Sequence, residues 1–205
     1  MKIYSNTSNL IKLLSKTSAL SRVENLQLEN ALIERTVKKI DSKDVLSIRP
    51  YAFADCSSLT SVSFPQVTSI GSYAFDHCSS LTSVSFPACQ TIYNSAFYGC
   101  SSLTSVSFPQ VTSIGDGAFV DCSSLTSVSF PACRTISAGA FRSCTMLSLI
   151  YLTAESVCVL YNSSVFQDTG ITATTGSIFV PASLVTSYRQ ATNWVYFSNR
   201  IYAKE

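Results

Sequence analysis

The sequence predicts an α/β solenoid, a right-handed stack of 22-residue coils that each contribute one parallel β-strand, with helical caps at both ends. Three observations support this fold class. A core motif recurs at a fixed interval, each copy alternates apolar and hydroxyl residues over a short stretch, and the flanking segments depart from the pattern. A coil of this length cannot bury an apolar face alone, so it stacks on its neighbours.

The repeat interval is set by three residue types that recur every 22 positions. They are Phe53, Phe75, Phe97, Phe119 and Phe141; Cys56, Cys78, Cys100, Cys122 and Cys144; and Leu59, Leu81, Leu103, Leu125 and Leu147. A second period of 44 lies on top, because QVTSIG at 66 and 110 alternates with ACQTI at 88 and ACRTI at 132. We infer that the unit duplicated as a pair.

Each copy carries the L-x-x-L-x-L strand pattern of a leucine-rich repeat, formed in the first copy by Leu59, Val62 and Phe64. Side chains alternate across a strand, so Val62 and Phe64 point inwards and the serines between them point outwards. Strands are predicted at 59–64, 81–86, 103–108 and 125–130. A right-handed course is expected because parallel crossovers almost always take that hand.

The return path of each coil is too short for a long helix, so turns are predicted there. Its apolar residues should re-enter the core that the strand begins. The predicted core of one coil is Leu59, Val62, Phe64, Val67, Ile70, Ala74, Phe75 and Cys78.

The ends of the chain are interpreted as caps. Residues 1–43 form the predicted N-terminal cap, with a helix from Asn9 to Ser18 and a first strand at 36–41. Residues 44–152 form five coils, and residues 153–205 form the C-terminal cap. There the frame slips by six residues before Val180-Pro181, and a helix is predicted at 182–191 because proline suits a first helical turn.

Composition excludes several function classes. A net charge of +2 is too small to indicate nucleic acid, and 46% hydrophobic with 13% charged residues argues against disorder. No apolar run reaches the roughly 20 residues of a membrane span, so membrane insertion is not expected. The N-terminus shows no apolar run followed by a small-residue cleavage site, so no secretory signal is visible.

The cysteines follow the repeat frame and lack the short spacing of a metal motif. Cys89 and Cys133 replace the small hydrophobes Val67 and Val111. Buried structural thiols are therefore the favoured interpretation, with a disulfide or a metal site as alternatives.

Catalytic chemistry is not predicted, and neither is a cofactor. His77 is the single histidine, and Asp76 beside it follows no known triad order. The abundant serines are encoded by the repeat, and no glycine-rich phosphate loop occurs.

Two surfaces remain as candidate binding sites. The outward face of the strands carries uniform hydroxyl rows that could bind a glycan, at Ser83, Ser85, Ser105 and Ser107. The return side carries residues that differ between coils and could bind a protein, at Tyr73, His77, Tyr93 and Tyr98. A solvated sheet face and neutral drift are the alternatives for the two surfaces respectively.

The motif L-T-S-V-x-F-P followed by V-T-S-I-G-x-x-A-F-x-x-C resembles the BspA-like bacterial leucine-rich repeats over residues 44 to 152. The tail IFVPASLVTSYRQATNW is similar to the closing segment of many such proteins. The resemblance implies a cell-surface, extracellular or virion-associated recognition protein of bacteria or their phages, without naming a ligand. The predicted function is non-enzymatic binding of a protein or glycan on a cell surface. A structural spacer or assembly protein of a larger particle is the alternative.

Overall fold

Two parallel ladders of short strands run along the computed structural model, which describes residues 2–3, 38–43, 45–173 and 176–204. The first ladder contains β2 (Lys39–Asp41), β4 (Ser61–Ser63), β6 (Ser83–Ser85), β8 (Ser105–Ser107), β10 (Ser127–Ser129), β12 (Leu149–Tyr151), β14 (Ser177–Pro181) and β15 (Ile201–Lys204). The second contains β3 (Ser47–Ile48), β5 (Ser69–Ile70), β7 (Thr91–Ile92), β9 (Ser113–Ile114), β11 (Thr135–Ile136) and β13 (Val159–Leu160). The predicted repetition of parallel strands in stacked sheets is confirmed.

Strand pairing follows the repeat. Ser61 pairs with Ser83 and Ser69 pairs with Thr91, both in parallel register. Outside this pattern, β1 (Lys2–Ile3) pairs antiparallel with β2. The helix predicted between residues 9 and 18 lies outside the described residues.

The prediction of one strand per coil is wrong, because each repeat coil contains two. After the turn at Pro65, Thr68 N–H donates to Leu46 O at 3.0 Å and Gly71 N–H donates to Ile48 O at 2.8 Å. These bonds flank β5 and join it to β3, so the chain is extended again after the turn at the proline. The predicted six-residue strands are also too long, since β4 spans three residues and the backbone before it turns.

The interior contains two columns of stacked phenylalanines. In one column the rings of Phe75 and Phe119 lie 5.2 and 5.1 Å from that of Phe97, with near-parallel planes. The other runs through Phe86 and Phe108, whose centroids are 6.0 Å apart. Every residue of the predicted coil core is buried. The inward assignment from the sequence is therefore confirmed.

The C-terminal segment, residues 176–204, covers the end of the second ladder and extends the first. Leu149 pairs with Ser177, which reflects the six extra residues that the sequence indicates. Residues 182–190 are helical, as a 3₁₀ turn at Ala182–Leu184 and helix α1 at Val185–Gln190. Further 3₁₀ turns lie at Ser163–Phe166 and Val195–Arg200.

Side chains of this C-terminal segment form hydrogen bonds with backbone groups along the outer edge of β13. Asn193 Nδ2 donates to the carbonyl oxygens of Leu160 and Tyr161, at 2.9 and 3.1 Å. Trp194 Nε1 donates to Cys158 O, and Cys158 N–H donates to Tyr188 Oη at 2.9 Å. An uncovered edge strand would invite pairing with another chain, and these bonds remove that opportunity.

Candidate binding surfaces

A left-handed backbone position recurs in the return-side turn of each coil, directly before the A-F pair. The residues there are Tyr51, Tyr73, Ser95, Gly117 and Gly139, all with φ between 53° and 60°. Glycine adopts this conformation without a steric cost, while tyrosine and serine hold it under mild strain. The backbone turn is thus constant while its side chain shrinks along the stack from a phenol to a hydrogen atom.

This loss of side chains leaves a groove, which we call the return-side groove. Its volume is about 500 Å³, and it is lined by Tyr73, Asp76, His77, Ser95, Tyr98, Asp116, Gly117, Val120, Ala138, Gly139, Arg142 and Ser164. Most of these residues form two columns along the stack. One is the left-handed position, and the other lies three residues later in each coil.

Aromatic side chains form one end of the return-side groove. Tyr73 is stacked on Tyr51 with ring centroids 5.0 Å apart, and Tyr98 lies 5.2 Å from the ring of His77. The structure therefore brings together Tyr73, His77 and Tyr98 of the four predicted return-side residues. Tyr93 lies outside the groove, because it directly follows β7 at a position that Gly115 fills in the next coil.

The polar groups of the groove carry charges of both signs. His77 Nδ1 lies 2.8 Å from Asp76 Oδ1, and Asp116 Oδ1 accepts from Ala138 N–H at 3.1 Å. A hydrogen bond from Tyr98 to Asp121 raises the pKa of that tyrosine, which keeps its phenol protonated.

The sheet face has an unexpected seam between β6 and β8. These two strands are not hydrogen-bonded to each other, so the first ladder divides there into separate sheets. The second ladder is continuous at the same level, because Thr91 pairs with Ser113. The strands share the sequence LTSVSFP, so nothing in their local sequence explains the opening.

The seam forms a cleft that contains all four predicted sheet-face serines. Its volume is about 450 Å³, and it is lined by Thr82, Ser83, Val84, Ser85, Phe86, Pro87, Thr104, Ser105, Ser107 and Pro109. The serines of β6 and β8 are exposed, whereas those of β4 and β10 are half-buried. Val84 is also only half-buried, while Val62 and Val106 belong to the core. The prediction of a uniform hydroxyl face is therefore wrong at this point.

The repeated cysteines are buried and point at the backbone of the preceding coil. Cys78, Cys100 and Cys144 donate to the carbonyl oxygens of Phe53, Phe75 and Phe119, at 2.9 to 3.1 Å. Burial raises the pKa of Cys78 and Cys100. It also raises the pKa of Cys89, which replaces a small hydrophobe of the repeat, to about 12. These thiols therefore stay protonated at neutral pH. Within the described ranges, no cluster of His, Cys, Asp and Glu could hold a metal ion.

We expect the five repeated cysteines to resist alkylation in the folded chain. The pKa of Cys89, raised from 9.0 to about 12, corresponds to a thiolate fraction about a thousandfold lower. The five repeated cysteines are buried, which keeps an alkylating reagent from reaching them. Site-specific labelling at neutral pH, with and without denaturant, measures the difference. Rapid native labelling of Cys78 or Cys100 would contradict the buried assignment.

Comparisons with known proteins identify the repeat. Residues 46–172 match, in six copies, the family model described as "BspA type Leucine rich repeat region". The spacing of the sequence had predicted five coils ending at residue 152. No curated protein matches the chain. Among the described residues, no helix has the length and apolar character needed to cross a bilayer.

Solved structures of bacterial leucine-rich repeat proteins are similar to this chain. A leucine rich cell surface protein from Faecalibacterium prausnitzii A2-165 is 23% identical with a TM-score of 0.55, over 80% of this chain and 47% of that one. A T. pallidum Leucine Rich Repeat protein is 30% identical over 54% of this chain and 66% of that one, with a TM-score of 0.42. The chain spans about half to two thirds of the length of these relatives.

Proposed function

Because the chain belongs to the BspA-type leucine-rich repeat family, we propose that it is a non-enzymatic recognition module that binds a protein partner in the return-side groove. One observation carries the proposal. The side chain at the left-handed turn position changes from Tyr73 through Ser95 to Gly117 and Gly139, and the groove lies along this change on the return side.

The chemistry of the groove suits a protein segment. Tyr73 and Tyr98 provide rigid aromatic area that loses little entropy on binding, and such residues dominate the energy of protein interfaces. Asp76 and Arg142 place opposite charges along the same groove, which would orient a partner of complementary charge.

The proposed working place is a bacterial cell surface, or a phage particle that contacts one. The solved relative from Faecalibacterium prausnitzii is described as a cell surface protein, which supports the first setting. On this proposal the solenoid serves in adhesion, and its partner lies on another cell or on the extracellular matrix.

A second candidate function is glycan binding at the seam between β6 and β8. The seam singles out Ser83, Ser85, Ser105 and Ser107 from hydroxyl rows that otherwise repeat unchanged. Hydroxyl groups both donate and accept hydrogen bonds, so two facing rows match the hydroxyls of a sugar. Pro87, Pro109 and the half-buried Val84 contribute apolar surface to the lining of the seam.

Arrays of matrix proteins and of glycans, probed with the full chain, identify a ligand for the decisive comparison. We expect a Tyr73→Ala/Tyr98→Ala variant to weaken binding of a protein ligand on the order of 100-fold, as the loss of two aromatic anchors does. Gly139→Tyr should weaken it as well by filling the groove. A Cβ at Gly139 would lie at an ordinary 3.8 Å from Arg142 Cβ, and the left-handed backbone there strains the new residue as it does Tyr51 and Tyr73. Titration by surface plasmon resonance measures each effect.

Matched controls separate the proposals. Tyr93→Ala removes a half-exposed tyrosine outside the groove and should leave protein binding unchanged. Ser83→Lys/Ser105→Lys blocks the seam, whereas Ser61→Lys/Ser127→Lys adds the same charge outside it. Loss of binding only in the seam variant would favour the glycan function. If deletion of residues 1–43 abolishes binding while all these variants bind normally, the solenoid is a spacer.

A further inference from the structure

Two buried cysteines near the C-terminal segment have their sulfur atoms in direct contact. The sulfur atoms of Cys133 and Cys158 are 3.6 Å apart, and both residues are fully buried. Cys133 Sγ also lies 3.5 Å from Thr135 O, and Cys158 Sγ lies 4.0 Å from Val159 O. Among the repeated cysteines, the thiols of Cys100 and Cys122 each donate to a carbonyl oxygen at 3.1 Å.

The pair arises where the repeat frame changes. Cys133 occupies the small-hydrophobe position that precedes β11, and Cys158 lies directly before β13, the next strand of the same ladder. Cys89 fills the equivalent position two coils earlier, and its thiol contacts Thr91 O at 3.4 Å. Cys133 makes the equivalent contact to Thr135 O, at 3.5 Å, and in the last coil the sulfur atom of Cys158 lies against it as well.

We propose that Cys133 and Cys158 form a disulfide bond when the chain folds in an oxidising environment. The two sulfur atoms are in contact at 3.6 Å and would approach to about 2.05 Å in the bond. The oxidant is a small-molecule disulfide such as oxidised glutathione. One thiolate attacks it to give a mixed disulfide and a free thiol, and the second thiolate displaces the other glutathione. Two protons and two electrons leave the protein, and two glutathione thiols form.

The bond would form before the C-terminal segment docks. Tyr188 and Trp194 cover Cys158, through hydrogen bonds to its backbone N–H and carbonyl group. The contact with Cys133 and burial raise the pKa of Cys158 in the folded chain, so exchange there is slow. Once formed, the cross-link joins the strand that this segment covers to the preceding coil. It would therefore hold in place the surface on which the segment rests.

Peptide mapping of the full chain tests the proposal. The chain is folded in a glutathione redox buffer, alkylated in denaturant, digested without reduction and analysed by mass spectrometry. We expect one linked pair of peptides, joined through Cys133 and Cys158, with the other six cysteines alkylated. The oxidised chain should melt on the order of 5–10 °C above the reduced one, because the cross-link restricts the unfolded chain.

Serine variants provide the matched comparison. Cys133→Ser and Cys158→Ser should each abolish the difference in melting temperature between oxidised and reduced chain. Cys89→Ser changes the equivalent position without a sulfur partner and should retain it. Eight alkylated cysteines in chain folded under oxidising conditions, or a link between repeated cysteines, would overturn the proposal. The map of the unmodified chain decides the question even if a variant fails to fold.

Discussion

Phe97→Ala is expected to lower the free energy of unfolding by about 3–5 kcal/mol, the usual cost of truncating a buried aromatic residue. Phe97 lies in the middle of its column, fully buried, with the rings of Phe75 and Phe119 on its two faces. The ring of Phe108 packs at its side, 6.1 Å away. The ring of Phe86 lies 6.4 Å away, so removing the Phe97 ring leaves a cavity that four phenylalanines line. Equilibrium unfolding in urea, followed by circular dichroism, measures the change.

Ser105→Ala is the control for this prediction. Ser105 is exposed in β8, so its substitution should change the free energy of unfolding by no more than about 0.5 kcal/mol. Equal effects of the two substitutions would mean that the inward and outward assignments are wrong. The contrast matters because the return-side groove and the seam are defined by the same assignments.

Trp194→Ala is expected to destabilise the C-terminal segment by about 3–5 kcal/mol. The indole is fully buried, with its ring 5.1 Å from that of Tyr188 and 6.1 Å from that of Phe166. Its N–H also donates to Cys158 O, which would lose this partner in the variant. Amide hydrogen exchange should therefore accelerate first at residues 158–161 and 188–204, while the middle coils stay protected.

Trp194→Phe is the milder substitution at this position. It retains an aromatic ring and loses only part of the volume and the N–H donor, so a smaller loss, on the order of 1–2 kcal/mol, is expected. Uniform acceleration of exchange along the chain in Trp194→Ala would contradict local detachment. It would show that the last coils and the middle coils unfold as one cooperative unit.

The family match and the groove bear on function in different ways. The family indicates an interaction module, while the groove is the location that we propose for binding. Tyr73 and Tyr98 belong to different columns of the turn, three residues apart in the repeat frame. Both side chains line the groove. Tyr98 belongs to the coil after that of Tyr73, and stacking of the coils places the two columns side by side.

The sequence by itself determined the repeat, the stacked parallel strands and the inward residues. These features depend on spacing, and spacing is visible in the chain: Leu59, Val62 and Phe64 alternate with serines, and the same positions recur in every copy. The sequence also indicated which return-side residues vary and where six residues are inserted before β14. The right-handed course of the coils stays a prediction from the general rule for parallel crossovers.

The tertiary structure alone decided how neighbouring coils fit together. It showed a second strand in each coil and a seam between two strands of identical sequence, and it placed Tyr93 outside the groove. It also brought Cys133 to Cys158 across a change of frame. The physical reason is common to all four. Hydrogen bonds between coils, the space beneath a missing side chain and the approach of two sulfur atoms depend on contacts between residues that are distant in the chain, and a local repeat pattern carries no information about those distances.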